Sequence, residues 1–412
     1  MPFEQLFEIV PEGWEYVTLG KVVADGGGHI QTGPFGSQLH AADYVLEGVP
    51  SIMPTNIGDN RINEEGIARI RQEDADRLKR FLVAEGDIVY SRRGDIEKRA
   101  LIRKGEVGWL CGTGCLLIRL GDQGADPLFM SYYLGDPVVR EWLVRHAQGA
   151  TMLNLNTGIL GKVPVLLPPK DEQKEIASIL GALDDKIELN RRMNATLEAM
   201  AQALFKEWFV DRSSAVGAKK EWEEVMLDEI ADYRNGLALQ KFRPQEGEDA
   251  LPVVKIAQMR TGLPDSGEWA SPTIGPEFIL EDGDVVFSWS GSLMAILWCG
   301  GKAALNQHLF KVTSDKYPKW FYYLWTQYHM PEFRAIASHK ATTMGHINRN
   351  HLKVPVRIPP PQLLERGDHV IAPLLDRIVG NNLENRTLAS LRDTLLPKLM
   401  RGEVRVRELA NG

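Results

Sequence analysis

Residues 172–209 read EQKEIASILGALDDKIELNRRMNATLEAMAQALFKEWF. Within them Ile176, Leu180, Leu183, Ile187, Asn190, Asn194, Leu197, Ala201, Leu204 and Trp208 follow one another in alternating steps of four and three. That is the seam of a coiled coil, a stripe that one helix buries against another. At about 1.5 Å per residue, a helix of roughly 38 residues makes a rod on the order of 55–60 Å long.

A second copy of the seam lies 191 residues further on, at Gly367, Ile371, Leu374, Ile378, Asn381, Asn385, Leu388, Arg392, Leu395 and Leu399. Both copies carry two asparagines at mid-seam, Asn190/Asn194 and Asn381/Asn385. A polar residue at such a position weakens packing but fixes register, because each buried amide needs a partner. Two unrelated amphipathic helices in one core would not share this feature. Pro373 and Pro397 are expected to confine the unkinked part of the second rod to about Leu374–Leu396, since an interior proline removes a hydrogen bond.

The duplication extends into the rest of the chain. Glu85–Ser91 (EGDIVYS) matches Asp282–Ser288 (DGDVVFS), an acidic-Gly-Asp turn feeding a buried strand. Lys162–Pro169 (KVPVLLPP) matches Lys353–Pro360 (KVPVRIPP), where a proline pair stops a strand and launches each rod. Ala150–Asn156 resembles Thr342–Asn348, and Glu15–Leu19 resembles Glu223–Leu227. A repeat of this length means duplicated domains, so the order is globular domain, rod, globular domain, rod. The first domain is expected to hold short strands at Val49–Met53, Asp87–Tyr90, Ala100–Ile102 and Leu116–Leu120, and a helix at about Pro127–His146. The second domain repeats the plan, with a helix at about Lys319–Ala337, after a small polar linker at Asp211–Lys220.

Bulk properties narrow the classes. The 412 residues are 44% hydrophobic and 25% charged, with room for two or three cores. A net charge of −7 is not the global footprint of a nucleic-acid binder, so DNA binding must rest on local patches or on a basic partner. Three cysteines (Cys111, Cys115, Cys299) without a CxxC predict a reducing compartment and neither disulfide nor zinc framework. MPFEQLFEIV has no signal-peptide pattern and no apolar run reaches bilayer length, so a cytoplasmic chain without a membrane span is expected.

No catalytic motif and no metal-ligand set is found. Gly158–Lys162 has the wrong spacing for a phosphate loop. Asp171-Glu172-Gln173-Lys174 sits where acidic residues favour a helix start. Readers of nucleic acid need Arg or Lys for phosphates and Arg, Asn, Gln, Ser, Thr or Lys for base edges. In the first domain Gln31, Thr32, Ser37, Gln38, Asn56, Arg92, Arg93, Lys98 and Arg99 qualify, and Arg92-Arg93 directly after a buried strand stands out. In the second, Lys255, Gln258, Arg260, Ser288, Trp289, Ser290, Ser292, Asn306, Gln307 and His308 qualify. Between the matched strings the two domains differ: Cys111–Cys115 faces Asn306–His308, and Ser91–Arg99 faces Ser288–Leu293. One scaffold with two different tips fits two readers of two targets. A coiled-coil scaffold for proteins, not DNA, is the alternative reading.

The chain resembles the specificity (S) subunits of type I restriction–modification enzymes. The resemblance rests on Gln31–Leu39 with Asp43-Tyr44, on Leu167-Pro168-Pro169 leading through Glu172-Gln173 into Ile176–Leu183, on Glu188–Gln202, and on Leu396–Glu403. It covers nearly the whole chain, but Leu364-Glu365-Arg366-Gly367 replaces the usual Glu-Gln-x-x-Ile start of the second helix. It implies an α+β fold of two similar target recognition domains, separated by two long conserved helices that pair as an antiparallel coiled coil in a pseudo-two-fold repeat. The implied boundaries are 1–170 and 213–360 for the domains, and 171–212 and 361–412 for the helices, the last with a C-terminal tail. It further implies that each domain reads one block of a split double-stranded DNA site and that the helices set the spacer. They would also dock two copies of a modification (methyltransferase) subunit, with restriction subunits beyond. S-adenosylmethionine, ATP and Mg2+ would belong to those partners, and this chain would be non-catalytic.

Overall fold

The strings that open and close each half turn out to be each other's partners. A computed structural model of the chain describes residues 9–149, 152–211, 222–264, 267–339 and 345–406. In it Glu15–Thr18 pairs antiparallel with Pro164–Leu167, Val17 opposite Val165. Glu223–Met226 pairs in the same way with Pro355–Ile358, Val225 opposite Val356. Each ribbon closes its domain and delivers the chain to a proline pair, after which Lys170–Phe205 and Pro361–Val370 are helical. Two compact units result, Met1–Asp185 with Ala389–Gly412 and Lys186–Leu388.

The first unit holds a five-stranded sheet in the order His29–Thr32, Cys115–Arg119, Ile88–Ser91, Arg99–Leu101, Asp59–Asn60. Val49–Ile52 and Leu110–Cys111 run parallel at the edge of a four-stranded sheet beside it. The Gly-Asp turn works as its chemistry suggests. Asp87 is buried, accepts the Ala84 N–H at 2.7 Å and is gripped by the Arg119 guanidinium through Nε at 2.8 Å and Nη2 at 2.5 Å. The helical stretch expected at Pro127–His146 is two helices, Pro127–Tyr133 and Pro137–His146. Asp136 caps the second by accepting the Val138 N–H at 2.8 Å, and Pro137 pre-sets its first turn.

The second unit repeats the plan. Its main sheet runs Asp232–Asn235, Leu309–Thr313, Val285–Ser288, Ala295–Leu297. Leu251–Val254 and Ala303–Leu305 form the parallel pair of the neighbouring sheet. Asp284 accepts the Glu281 N–H at 2.8 Å and pairs with Lys311 at 2.7 Å, the counterpart of the Asp87 turn. The helix expected at Lys319–Ala337 is again divided, into Lys319–Tyr328 and Met330–His339. Most of the linker expected at Asp211–Lys220, and Thr342–Met344 with Ala150-Thr151, lie outside the described residues.

Both rods take part in each unit. In the second, Asn190 Nδ2 donates to Asn385 Oδ1 at 2.9 Å and Glu384 Oε2 at 2.8 Å, while Lys186 Nζ donates to Asn190 Oδ1 at 3.0 Å. One turn on, Asn381 Nδ2 donates to Asn194 Oδ1 and Asn194 Nδ2 to Asn382 Oδ1, each at 2.8 Å. Partners rise along one helix as they fall along the other, so the pair is antiparallel. In the first unit the seam position Arg392 is ionic: its guanidinium meets Asp184 at 2.7 Å and Asp59 at 3.4 Å, and Tyr132 donates to the other oxygen of Asp184 at 2.6 Å.

The seam drifts toward its ends. Leu375 and Leu396 are buried where the spacing selects Leu374 and Leu395, which are half-buried. The ends pack into domain cores instead of a partner helix, so the strict 3.5 repeat is not enforced there. Ala201, Phe205, Trp208 and Phe209 enter the core of the second unit, and the last residues of the first rod, Lys206–Asp211, widen into a π-helix. The second rod breaks at Ile371, ahead of Pro373, as that proline predicts. Pro397 does not stop it. The helix runs on to Met400, because the carbonyl that Pro397 leaves unpaired belongs to exposed Asp393.

Candidate nucleic-acid interface

Strand register brings the variable loops to one end of each main sheet. In the first unit Thr32 lies opposite Leu116 and Ser91 opposite Cys115. The loops that leave there are Gly33–Leu39, Arg92–Lys98 and Gly112–Gly114. The last also receives the parallel strand Leu110–Cys111, so it joins the two sheets. In the second unit Asn235 lies opposite Phe310 and Ser288 opposite Leu309. There Trp289–Leu293 and the sheet-joining Asn306–His308 take the same places. Glycine is required where the first loop crosses the joining segment: a Cβ on Gly33 would stand 2.1 Å from Gly112 O, and one on Gly236 2.3 Å from Asn306 O.

The loop residues of the first unit have separate tasks. Gln31 donates its amide to Arg80 O at 2.6 Å, and Thr32 is half-buried at the strand end. Gln38 closes its turn by accepting the Phe35 N–H at 3.2 Å, with Ser37 exposed beside it. Arg92 stands over the exposed Phe35 ring at 5.9 Å, Arg93 is exposed, and Lys98 pairs with Asp95 at 3.3 Å. Two expected readers are internal. Arg99 is 6% exposed, donates to Ser131 O at 2.5 Å and faces Asp59 at 3.9 Å, and burial pushes its pKa down. Asn56 is 3% exposed and accepts the Met53 N–H at 3.1 Å, closing a turn. Their side chains lie on the inner face or in a turn, which period-2 alternation dictates and composition does not reveal.

In the second unit Lys255 pairs with Glu268, and Gln258 accepts the Lys255 N–H at 3.3 Å in a capping box. Arg260 donates to Ser292 Oγ. Trp289 donates its indole N–H to Asn235 Oδ1 at 2.9 Å. Ser290 and His308 Nδ1 are 3.2 Å apart, Gln307 lies 3.4 Å from His308 Nε2, and Asn306 accepts the His308 N–H at 3.2 Å. Ser288 is fully buried and ties its own loop, donating to Ser292 O at 2.6 Å and accepting the Met294 N–H at 3.0 Å.

Sequence reasoning passed over Phe35, Asn235 and the exposed Lys79-Arg80 pair beside Gln31. Aligning Asp232–Asn235 with His29–Thr32 through Gly236 and Gly33 would have found Asn235. The two cysteines of this region are buried thiols. Burial pushes the Cys111 thiol up to about 12 and raises that of Cys115 well above its ordinary value, and Cys115 donates to Ile52 O at 3.3 Å. Among the described residues no cluster of His, Cys, Asp and Glu could hold a metal ion. No helix among them is long and apolar enough to cross a membrane.

Two copies of one α+β plan, alike in their ribbons and sheets and different in the loops at one sheet end, define a class of duplicated-domain proteins. Comparison with known proteins gives that class its family. Residues 11–199 and 219–392 both match the type I restriction modification DNA specificity domain, and the chain belongs to this family. The MjaIX type I restriction enzyme specificity subunit of Methanocaldococcus jannaschii is 24% identical over 301 residues, covering 68% of this chain and 70% of its own. The HindI specificity subunit of Haemophilus influenzae is 20% identical over 442 residues, covering 88% and 96%. The crystal structure of an S subunit from M. genitalium shares the fold, with a TM-score of 0.55 at 17% identity over 95% of this chain and 96% of that one.

Proposed function

We propose that this chain gives a type I restriction–modification complex its DNA sequence specificity, each unit reading one block of a split double-stranded site. The observation that carries the reading is the coincidence of two duplications: the specificity domain matches twice, and each match contains one ribbon-closed pair of sheets with its loops at one end. The domain divisions at 170, 212 and 360 belong to this reading. So does the use of the two helices as the ruler of the spacer and as the docking surface for two modification subunits, with restriction subunits joining them.

Chemistry is assigned to the partners in this reading. S-adenosylmethionine serves the modification subunits, ATP and Mg2+ the restriction subunits, and this chain works in the cytoplasm as a non-catalytic reader. The test is a single-molecule methylome of the source organism with and without this gene. Loss of N6-methyladenine at one split motif of two blocks and a fixed gap supports the reading. A strain with an active modification partner and an unchanged methylome overturns it.

A further inference from the structure

The two units hold the same place in opposite polar states. Ser91 and Ser288 end matched strands, so Arg92 and Trp289 are equivalent. Their backbones are treated alike. Leu155 N–H donates to Arg92 O at 2.9 Å, and Ile347 N–H to Trp289 O at 2.9 Å. Arg92 N–H donates to Gly114 O in the joining segment, as Trp289 N–H does to His308 O. The side chains then part company. The Trp289 donor is tied back to Asn235, and its ring rests against His308 and Phe310 at 5.5 and 6.2 Å.

Arg92 has no such tie. Among the described residues its guanidinium makes no hydrogen bond or ion pair, and Nε is buried without a partner. Asn154 Oδ1, on the segment bridged to Arg93, is buried without a partner as well. Buried polar atoms without partners are rare, and each calls for strain, catalysis or an absent water, ion or ligand. Phe35, 52% exposed, lies against the guanidinium. A planar fork beside an aromatic ring, with donors unclaimed, is the group that addresses guanine O6 and N7 together.

Resting on the function proposed above, we infer that Arg92 reads a guanine in the DNA block of the first unit, with Phe35 steadying its plane. Trp289 has no donor left to offer. It meets the block of the second unit through its ring, by apolar contact such as a thymine methyl provides. The two blocks therefore differ in base chemistry at structurally equivalent positions.

The test uses the full complex with its modification subunits and reads methylated motifs genome-wide for wild type, Arg92→Gln, Arg92→Lys and Trp289→Ala. The expected result is a wild-type motif with an obligatory guanine at one position of one block. Arg92→Gln should relax that position by about tenfold or more and leave the other block intact. Arg92→Lys should relax it too, since an ammonium lacks the fork. Trp289→Ala should alter only the other block. If Arg92→Gln abolishes all methylation, the lysine variant decides. An unchanged motif in Arg92→Gln overturns the inference, as does a loss in either variant that is uniform over all sites and leaves the guanine requirement intact, the mark of a phosphate contact. A wild-type complex without any split motif would instead overturn the underlying function.

Discussion

At the scale of the residue, buried charge is the feature with the largest expected effects. Arg392 and Asp184 are 18% and 9% exposed and bonded at 2.7 Å. Removing one partner of such a pair strands the other, at a cost of about 3 kcal/mol or more. Arg392→Ala should lower the denaturant midpoint of the purified chain accordingly. Tyr132→Phe, which deletes one neutral donor to Asp184, should cost only about 1–2 kcal/mol. A midpoint unmoved by Arg392→Ala would show that the ion pair is solvated. His329 gives a pH-dependent counterpart. Burial holds its pKa below the ordinary 6.5, against the pull of the Glu332 carboxylate 3.4 Å away. Below pH 6.5 the unfolded chain therefore binds a proton that the folded chain resists. This stability is fully present above pH 6.5 and is lost as pH falls through the folded pKa. Unfolding midpoints of wild type minus His329→Asn, measured from pH 7.5 to 5, should decline in that direction, and a flat difference refutes it. Residue-scale roles were the least legible in the sequence. Arg92 and Arg99 belong to the same basic string, yet one is unpaired at a loop and the other is buried against Ser131 and Asp59. Only the direction of the strand separates them.

At the scale of the element, the asparagines test whether the rods are matched by polarity or by packing. Asn190 is wholly buried and its amide reaches both Asn385 and Glu384. A single Asn190→Leu leaves those acceptors unanswered and should cost about 1–3 kcal/mol. Asn190→Leu with Asn385→Leu replaces both by apolar groups, and should recover most of that loss while loosening register. A double-mutant cycle should give a coupling of about 0.5–3 kcal/mol. Strictly additive effects would mean that the two amides do not act as a pair. Periodicity exposed these rods because a long seam repeats its signal many times. The short strands were visible for another reason: Glu85–Ser91 and Asp282–Ser288 are two readings of one string. The breaks after Tyr133 and Tyr328 went unseen although Pro137 and Pro331 mark them, since apolar spacing alone continues across a break of a few residues. Pro397 sits inside a helix that continues to Met400, since the carbonyl whose donor it removes, that of Asp393, faces water.

At the scale of the whole molecule, charge sets what the chain does alone. Its net charge of −7 opposes a polyanion, and two candidate cations are already engaged: Lys98 by Asp95 and Lys255 by Glu268. Arg92, Arg93, Lys79 and Arg80 carry no such ion pair among the described residues. Affinity for duplex DNA falls with salt by a log–log slope of roughly 0.9 per phosphate neutralised. With about three phosphates answered by its own cations, the isolated chain should lose less than about a hundredfold in affinity between 50 and 200 mM salt. A complex making about six to ten phosphate contacts should lose about a thousandfold or more over the same range, from a much tighter start. Fluorescence anisotropy on one duplex carrying the methylome-defined site, with and without the modification subunits, measures both slopes. Equal affinity and equal slope would place the phosphate contacts on this chain alone, and its acidic composition would then need a local basic surface that four loop cations do not provide. A steeper slope in the complex would divide the labour cleanly: base choice on the loops of this chain, charge neutralisation on its partners.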